Sequence, residues 1–272
     1  MSTKIDIQGH RGCRGLYPEN SIPAFLNAID LGVDTLEFDA VISKDLEVII
    51  SHEPYMSSSI CLMPNGDDIS KGNDLAQNIY TLNYEEIKSY DCGSKYYDKY
   101  PSQKKIPIHK PSLSDVVIAA EQANPKILYN IEIKRKVEWD NIYHPEYKQF
   151  ADLVVNKINE LGIQDRTTVQ CFDIPTLQYI HKKYPDNALV FLIDNVIAPK
   201  ANIDKLGFLP EVYSPNFKLV DELLVKFCKK FEMKLIPWTV NEENDIRKMI
   251  ALGVHGIISD YPDRVLKIVK SA

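Results

Sequence analysis

The chain has 272 residues, 44% of them hydrophobic and 26% charged, a balance that excludes wholesale disorder and any collagen-like or low-complexity organisation. Its length is close to that of one bare (β/α)8 barrel, roughly 250 residues, although two smaller domains would also fit. A formal net charge of -6 argues against a surface that gains affinity by neutralising many nucleic-acid phosphates, so any phosphate-bearing ligand must be held by a few local cations.

The stretch Met1 to Ile7 lacks the apolar run of ~7–15 residues that a secretory signal needs, and nowhere is there an uninterrupted apolar run of about 18 residues. Cys13, Cys61, Cys92, Cys171 and Cys228 are scattered and odd in number, with no CxxC pair. Together these features predict a cytoplasmic protein with reduced thiols and no stable membrane insertion.

Strand-like and helix-like segments then alternate along the chain, the sequence form of repeated βα units and a parallel sheet. A strand at Ile5 to Gly9 precedes a helix at Ser21 to Leu31, and a strand at Thr35 to Ala40 follows. Beyond a long irregular stretch come a helix at Leu113 to Gln122, opened by Ser112 as a cap, and a strand at Ile127 to Ile133. The helix Glu146 to Leu161, strand Thr167 to Phe172, helix Ile174 to Lys183 and strand Ala188 to Ile193 continue the pattern. A weak helix signal around Lys200 to Leu206 leads to a strand at Glu211 to Ser214 and a helix at Leu219 to Phe231. The chain finishes with strand Lys234 to Val240, helix Glu242 to Leu252 behind a cap at Asn241, strand Gly256 to Ser259 and helix Pro262 to Val269. Eight such strands in one domain-sized chain predict a single α/β domain over residues 1–272, a (β/α)8 TIM barrel.

A ninth strand, Glu47 to Ser51, follows the second after only Ser43-Lys44-Asp45. Parallel neighbours need a crossover of a dozen or more residues, so this one can only turn back as an antiparallel hairpin. The stretch from Glu53 to Pro111 is polar, irregular and rich in tyrosine, and is expected to be a small insertion after strand two that caps the barrel mouth.

The chemistry concentrates at the carboxyl ends of the strands, where barrel enzymes place their reacting groups. In Thr35-Leu36-Glu37-Phe38-Asp39-Ala40 the alternation of strand side chains puts Glu37 and Asp39 on one face, opposite Leu36, Phe38 and Ala40. Asn130, Glu132 and Lys134 share a face in the same way, opposite Ile131 and Ile133. Converging carboxylates that lose hydration need a cation, and three oxygen donors with open positions suit Mg²⁺, Ca²⁺ or Mn²⁺. For one strand by itself, a solvated acidic face is an equal alternative.

Gly9-His10-Arg11-Gly12 ends the first strand, and His52 ends the hairpin. Either histidine could merely satisfy a core hydrogen bond. Folded over one mouth, they would supply a base and an acid for phosphodiester cleavage, with the roles of the two rings left open.

These residues resemble the glycerophosphodiester phosphodiesterase family. The likeness rests on His10-Arg11-Gly12, Pro18-Glu19-Asn20-Ser21, Glu37-Phe38-Asp39, Ser43-Lys44-Asp45 followed by His52, Asn130 to Lys134, Trp238 to Asn241, and Gly253 to Asp260. The resemblance implies one divalent metal, commonly Mg²⁺ or Ca²⁺, on Glu37, Asp39 and Glu132, with His10 and His52 as the acid/base pair. It further implies that Arg11 and Lys134 contact the phosphate and that Trp238 walls a glycerol pocket, although a strand tryptophan also serves a core. The implied reaction is hydrolysis of a small glycerophosphodiester to glycerol 3-phosphate and an alcohol. Two rivals are a phospholipase-type barrel acting on intact lipids and a non-catalytic metal or phosphate-ligand binding barrel. Head group and oligomeric state are not fixed by sequence.

Overall fold

The computed structural model describes residues 4–271. It contains nine strands, β1 Asp6–His10, β2 Thr35–Ile42, β3 Val48–Ile50, β4 Leu128–Ile133, β5 Thr167–Cys171, β6 Ala188–Ile193, β7 Val212–Pro215, β8 Lys234–Leu235 and β9 Gly256–Ser259. The helices are α1 Ile22–Leu31, α2 Tyr84–Ile87, α3 Leu113–Ala123, α4 Tyr147–Glu160, α5 Ile174–Lys183, α6 Pro199–Leu206, α7 Glu222–Lys230, α8 Glu243–Leu252 and α9 Pro262–Lys270.

Eight strands pair in parallel in the order β8-β7-β6-β5-β4-β2-β1-β9. Backbone hydrogen bonds close the seam between the two ends: His255 N donates to Leu235 O, Ile258 N to Pro237 O and Val240 N to Ile258 O. The fold is therefore the expected barrel. β3 hangs antiparallel from β2, with Ala40 opposite Ile50, as the short link requires.

Three details differ from the sequence expectation. The strand drawn over Lys234 to Val240 is regular only at Lys234–Leu235, because Pro237 has no N–H to give the ladder. The helix expected from Leu219 begins instead at Glu222, because the Asp221 carboxylate accepts from Leu224 N at 2.8 Å and fixes the cap there. Asn241 caps no helix; its side chain binds Asp260 instead. Ser112 does cap α3, in a reciprocal pairing with Asp115.

Leu36, Phe38 and Ala40 are fully buried, and the Phe38 ring packs edge-on against Phe25 of α1 at 5.2 Å. The apolar face of β2 thus packs on the helix layer, which turns Glu37 and Asp39 into the barrel. The segment after β3 builds a small core of its own from Met56, Cys61, Ile69, Ile79, Ile87, Tyr90 and Cys92 against Val41 and Ile49 of the hairpin.

The expectation of five reduced thiols is corrected here: Cys61 and Cys92 form a disulfide that staples this segment, while Cys13, Cys171 and Cys228 are free and buried. Disulfides are rare in reducing compartments, so the cysteines no longer argue for the cytoplasm. Among the described residues no helix is long and apolar enough to cross a membrane.

Candidate active site

β1 delivers the first side chains through a tight exit. Gly12 sits at φ +84° against α1, and a Cβ on it would lie 2.8 Å from Ala24; a Cβ on Gly9 would lie 2.1 Å from Gly12 O. Only glycine permits the turn, which aims the Arg11 N–H at Glu37 Oε2, 3.0 Å away.

The parallel register of β2 and β4 sets Asp39 beside Glu132. Oxygens of Glu37, Asp39 and Glu132 then all lie within 4.8 Å of one another, and all three residues are buried. Each carboxylate is held by a different partner. Gln170 Nε2 donates to Glu37 Oε1 at 2.5 Å, Asn20 Nδ2 donates to Asp39 Oδ2 at 2.9 Å, and Lys134 Nζ donates to Glu132 Oε1 at 2.7 Å. Below them Asn130 Nδ2 donates to Gln170 Oε1 and to Gln8 Oε1, so the polar interior of the barrel braces the cluster.

Asp39 Oδ1 accepts no hydrogen bond although it is buried, and Lys134 Nζ is 3.7 Å away. Burial, then Asp39, then Glu132 push the Glu37 carboxyl well above the usual range, and burial likewise raises Glu132. Burial also pushes Asp39 up, but Arg11 and Lys134 outweigh it and hold Asp39 well below that range. Arg11 Nε lies 3.2 Å from Asp39 Oδ2 yet is misaligned for a hydrogen bond; its NH1 donates to Glu19 at 2.8 Å. An acceptor-only oxygen facing two further carboxylates is a donor set that fits a hard divalent cation.

His10 ends β1 with Nδ1 2.6 Å from Asp260 Oδ1 and Nε2 3.9 Å from Glu37 Oε2. Asp260 also accepts from Arg14, Tyr100 and Asn241, and is held well below its ordinary range: burial raises it, but His10 and Arg14 prevail. An ionised Asp260 requires the proton on Nδ1, which leaves Nε2 as an acceptor facing the site. Burial, then Arg14, lower the His10 imidazole to about 4 against the pull of Asp260. His52, at the end of the hairpin, is half-buried with Nδ1 2.6 Å from Glu53 Oε1.

One cavity of about 360 Å³ is lined by His10, Arg11, Glu37, His52, Glu132, Lys134 and Trp238, and Asp39 lies buried against Glu37 and Glu132. All eight side chains singled out from the sequence therefore meet at one mouth. Trp238 is a wall of this cavity: its Nε1–H donates to Ser214 O, and its ring meets Phe172 edge-on at 5.6 Å.

Sequence reasoning did not single out Glu19, Asn20, Arg14, Gln170 or Asp260 as site residues. Glu19, Asn20 and Asp260 lay inside quoted motifs, and the inward face of Gln170 was readable from its alternation with Val169. Arg14 and Lys99, which also line the cavity, carried no signal.

A model of the Glycerophosphoryl diester phosphodiesterase family matches residues 10–264. The chain belongs to that family. A glycerophosphodiester phosphodiesterase of Caldanaerobacter subterraneus subsp. tengcongensis is 29% identical over 271 residues, covering 98% of each chain. A putative glycerophosphoryl diester phosphodiesterase structure from Silicibacter pomeroyi superposes with a TM-score of 0.89 at 24% identity, covering 100% of this chain and 95% of that one. An Oleispira antarctica phosphodiesterase, solved in complex with the product sn-glycerol-3-phosphate, has a TM-score of 0.78 at 20% identity and covers 98% and 97%. Both structures share the barrel of this family member.

Proposed function

We propose that the protein hydrolyses glycerophosphodiesters to glycerol 3-phosphate and an alcohol, with one divalent cation held by Glu37, Asp39 and Glu132. The observation that carries this reading is the buried carboxylate trio in the same cavity as His10 and His52. The Caldanaerobacter relative and the product complex of the Oleispira enzyme support the substrate class. Mg²⁺ or Ca²⁺ suits the all-oxygen donors, and Mn²⁺ belongs to the same hard class.

When bound, the cation supplies positive charge to the phosphoryl oxygens. Arg11 and Lys134 add fixed cations beside them, and Trp238 shapes the wall. His10, neutral near pH 7 with Nε2 free, can take a proton from the attacking hydroxyl, while His52, steadied by Glu53, faces the same cavity and can give one to the leaving alkoxide. No serine or cysteine stands as an obvious nucleophile; Cys171 in particular is buried, with its thiol pushed well up. The attacking hydroxyl is therefore the substrate's own neighbouring glycerol hydroxyl, giving a cyclic phosphate that water opens, or water directly. A binding-only barrel would not need a proton-transfer pair.

The test is to incubate the protein with glycerophosphoglycerol and Mg²⁺ and follow glycerol 3-phosphate by ³¹P NMR. Product that disappears with a chelator supports the reading, and binding without turnover overturns it.

Metal binding should also release protons. Glu37 and Glu132 are raised above the usual carboxylate range without a cation, so protons compete with metal above that range as well as within it. Affinity should therefore climb as pH rises above about 4, the ordinary carboxylate value. Calorimetry in two buffers of different ionisation enthalpy measures the released proton; no release would contradict the raised carboxyls.

A further inference from the structure

Past His52, Glu132, Lys134 and Phe172 the catalytic cavity continues into a second lobe of about 330 Å³, walled by Pro54, Ile133, Trp139 and the side chains of Glu53, Arg135 and Lys136. The two ends differ in the histidines they meet. His10 and His52 both line the first side, whereas the second lobe meets His52 alone of the two and ends at exposed Lys136.

Most charges in the second lobe are already paired. Lys134 holds Glu132 at 2.7 Å; Arg135 is clamped by Asp140 at 2.6 and 3.0 Å and by Asp173 at 2.7 Å; Glu53 holds His52. Lys136 has no carboxylate within ion-pair distance among the described residues, and its Nζ lies 4.0 Å from the centroid of the Trp139 ring. The Trp139 face that could receive a quaternary ammonium is thus covered by the protein's own cation, and the lobe's other aromatic ring, Phe172, stands at its border with the first side.

We propose that this lobe is the subsite for the leaving alcohol, that it takes uncharged polyols such as glycerol or inositol, and that Lys136 disfavours cationic alcohols such as choline. The proposal rests on the phosphodiesterase reading. A diester of this class has one constant arm, glycerol, and one variable arm. The variable arm suits the second lobe, because its alkoxide leaves toward His52, the histidine that both sides share, and the constant arm takes the first side. A Lys ammonium has three donors for polyol hydroxyls and repels a second cation that seeks the same ring.

The experiment compares kcat/KM for glycerophosphoglycerol and glycerophosphocholine, with glycerophosphomethanol as a minimal substrate, for the wild type and for Lys136→Glu and Lys136→Ala. The ratio of the first two substrates within each protein cancels any general loss of activity or stability. The wild type should prefer the glycerol ester. Lys136→Glu should move the ratio toward choline by about tenfold or more, and Lys136→Ala should move it the same way by less. A ratio that stays within about twofold in both variants overturns the subsite, because it means that the variable arm lies elsewhere. If the wild type with Mg²⁺ hydrolyses none of the three, glycerophosphomethanol included, the failure belongs to the phosphodiesterase reading itself.

Discussion

Replacing His10 or His52 by alanine should lower kcat by about 10²–10⁴-fold while the protein keeps its fold. His10 is buried, but its ring is anchored on one edge only: Asp260 fixes Nδ1, and Nε2 faces the carboxylates without a hydrogen-bonding partner of its own. An imidazole lowered to about 4 is neutral near pH 7 and available as a base. His52 is half-exposed at the end of a short hairpin and touches Glu53, so its loss removes little packing. Turnover measured beside thermal unfolding separates the two effects. Full activity in either variant would remove that residue from the chemistry; a collapsed melting transition would instead make its role structural.

The second large effect concerns the carboxylates. Glu132→Gln should reduce activity on the order of 10³-fold at ordinary metal concentrations, because the neutral amide is a far poorer ligand for a hard cation. The amide oxygen can still accept from Lys134, so the local hydrogen bond survives. Stability should move the other way. Burial pushes Glu132 above its ordinary range, which means that the metal-free fold is strained by that charge. Folded and raised, such a group weakens the protein as pH rises and it ionises. The glutamine variant should therefore be at least as stable as the wild type without metal near pH 7, and should lose the rise in Tm that added Mg²⁺ gives the wild type. A variant as active and as metal-responsive as the wild type would contradict this.

Much of this arrangement was legible because strand alternation is a strict period of two. Leu36 and Phe38 had to face helices, so Glu37 and Asp39 had to face inward, and the same held for Glu132 opposite Ile131 and Ile133. The barrel followed from eight βα units, and the antiparallel hairpin followed from a link too short for a crossover. What escaped depends on contacts between distant parts of the chain. Asp260 lies 250 residues from the imidazole it orients, and no local pattern joins them. The Cys61–Cys92 bridge is similar: a separation of 31 residues fixes no pairing, and the contact arises because Leu62 and Asp91 bridge two irregular segments. The early end of β8 came from Pro237, a residue whose missing N–H could have been weighed from the sequence.

The most direct test is a Mn²⁺ titration of the metal-free protein followed by electron paramagnetic resonance, run in parallel on Glu132→Gln. One ion per chain should bind in the wild type and lose most of its affinity in the variant. A wild type that takes up no ion, or a variant that binds it as tightly, would show that Glu37, Asp39 and Glu132 do not form a metal centre.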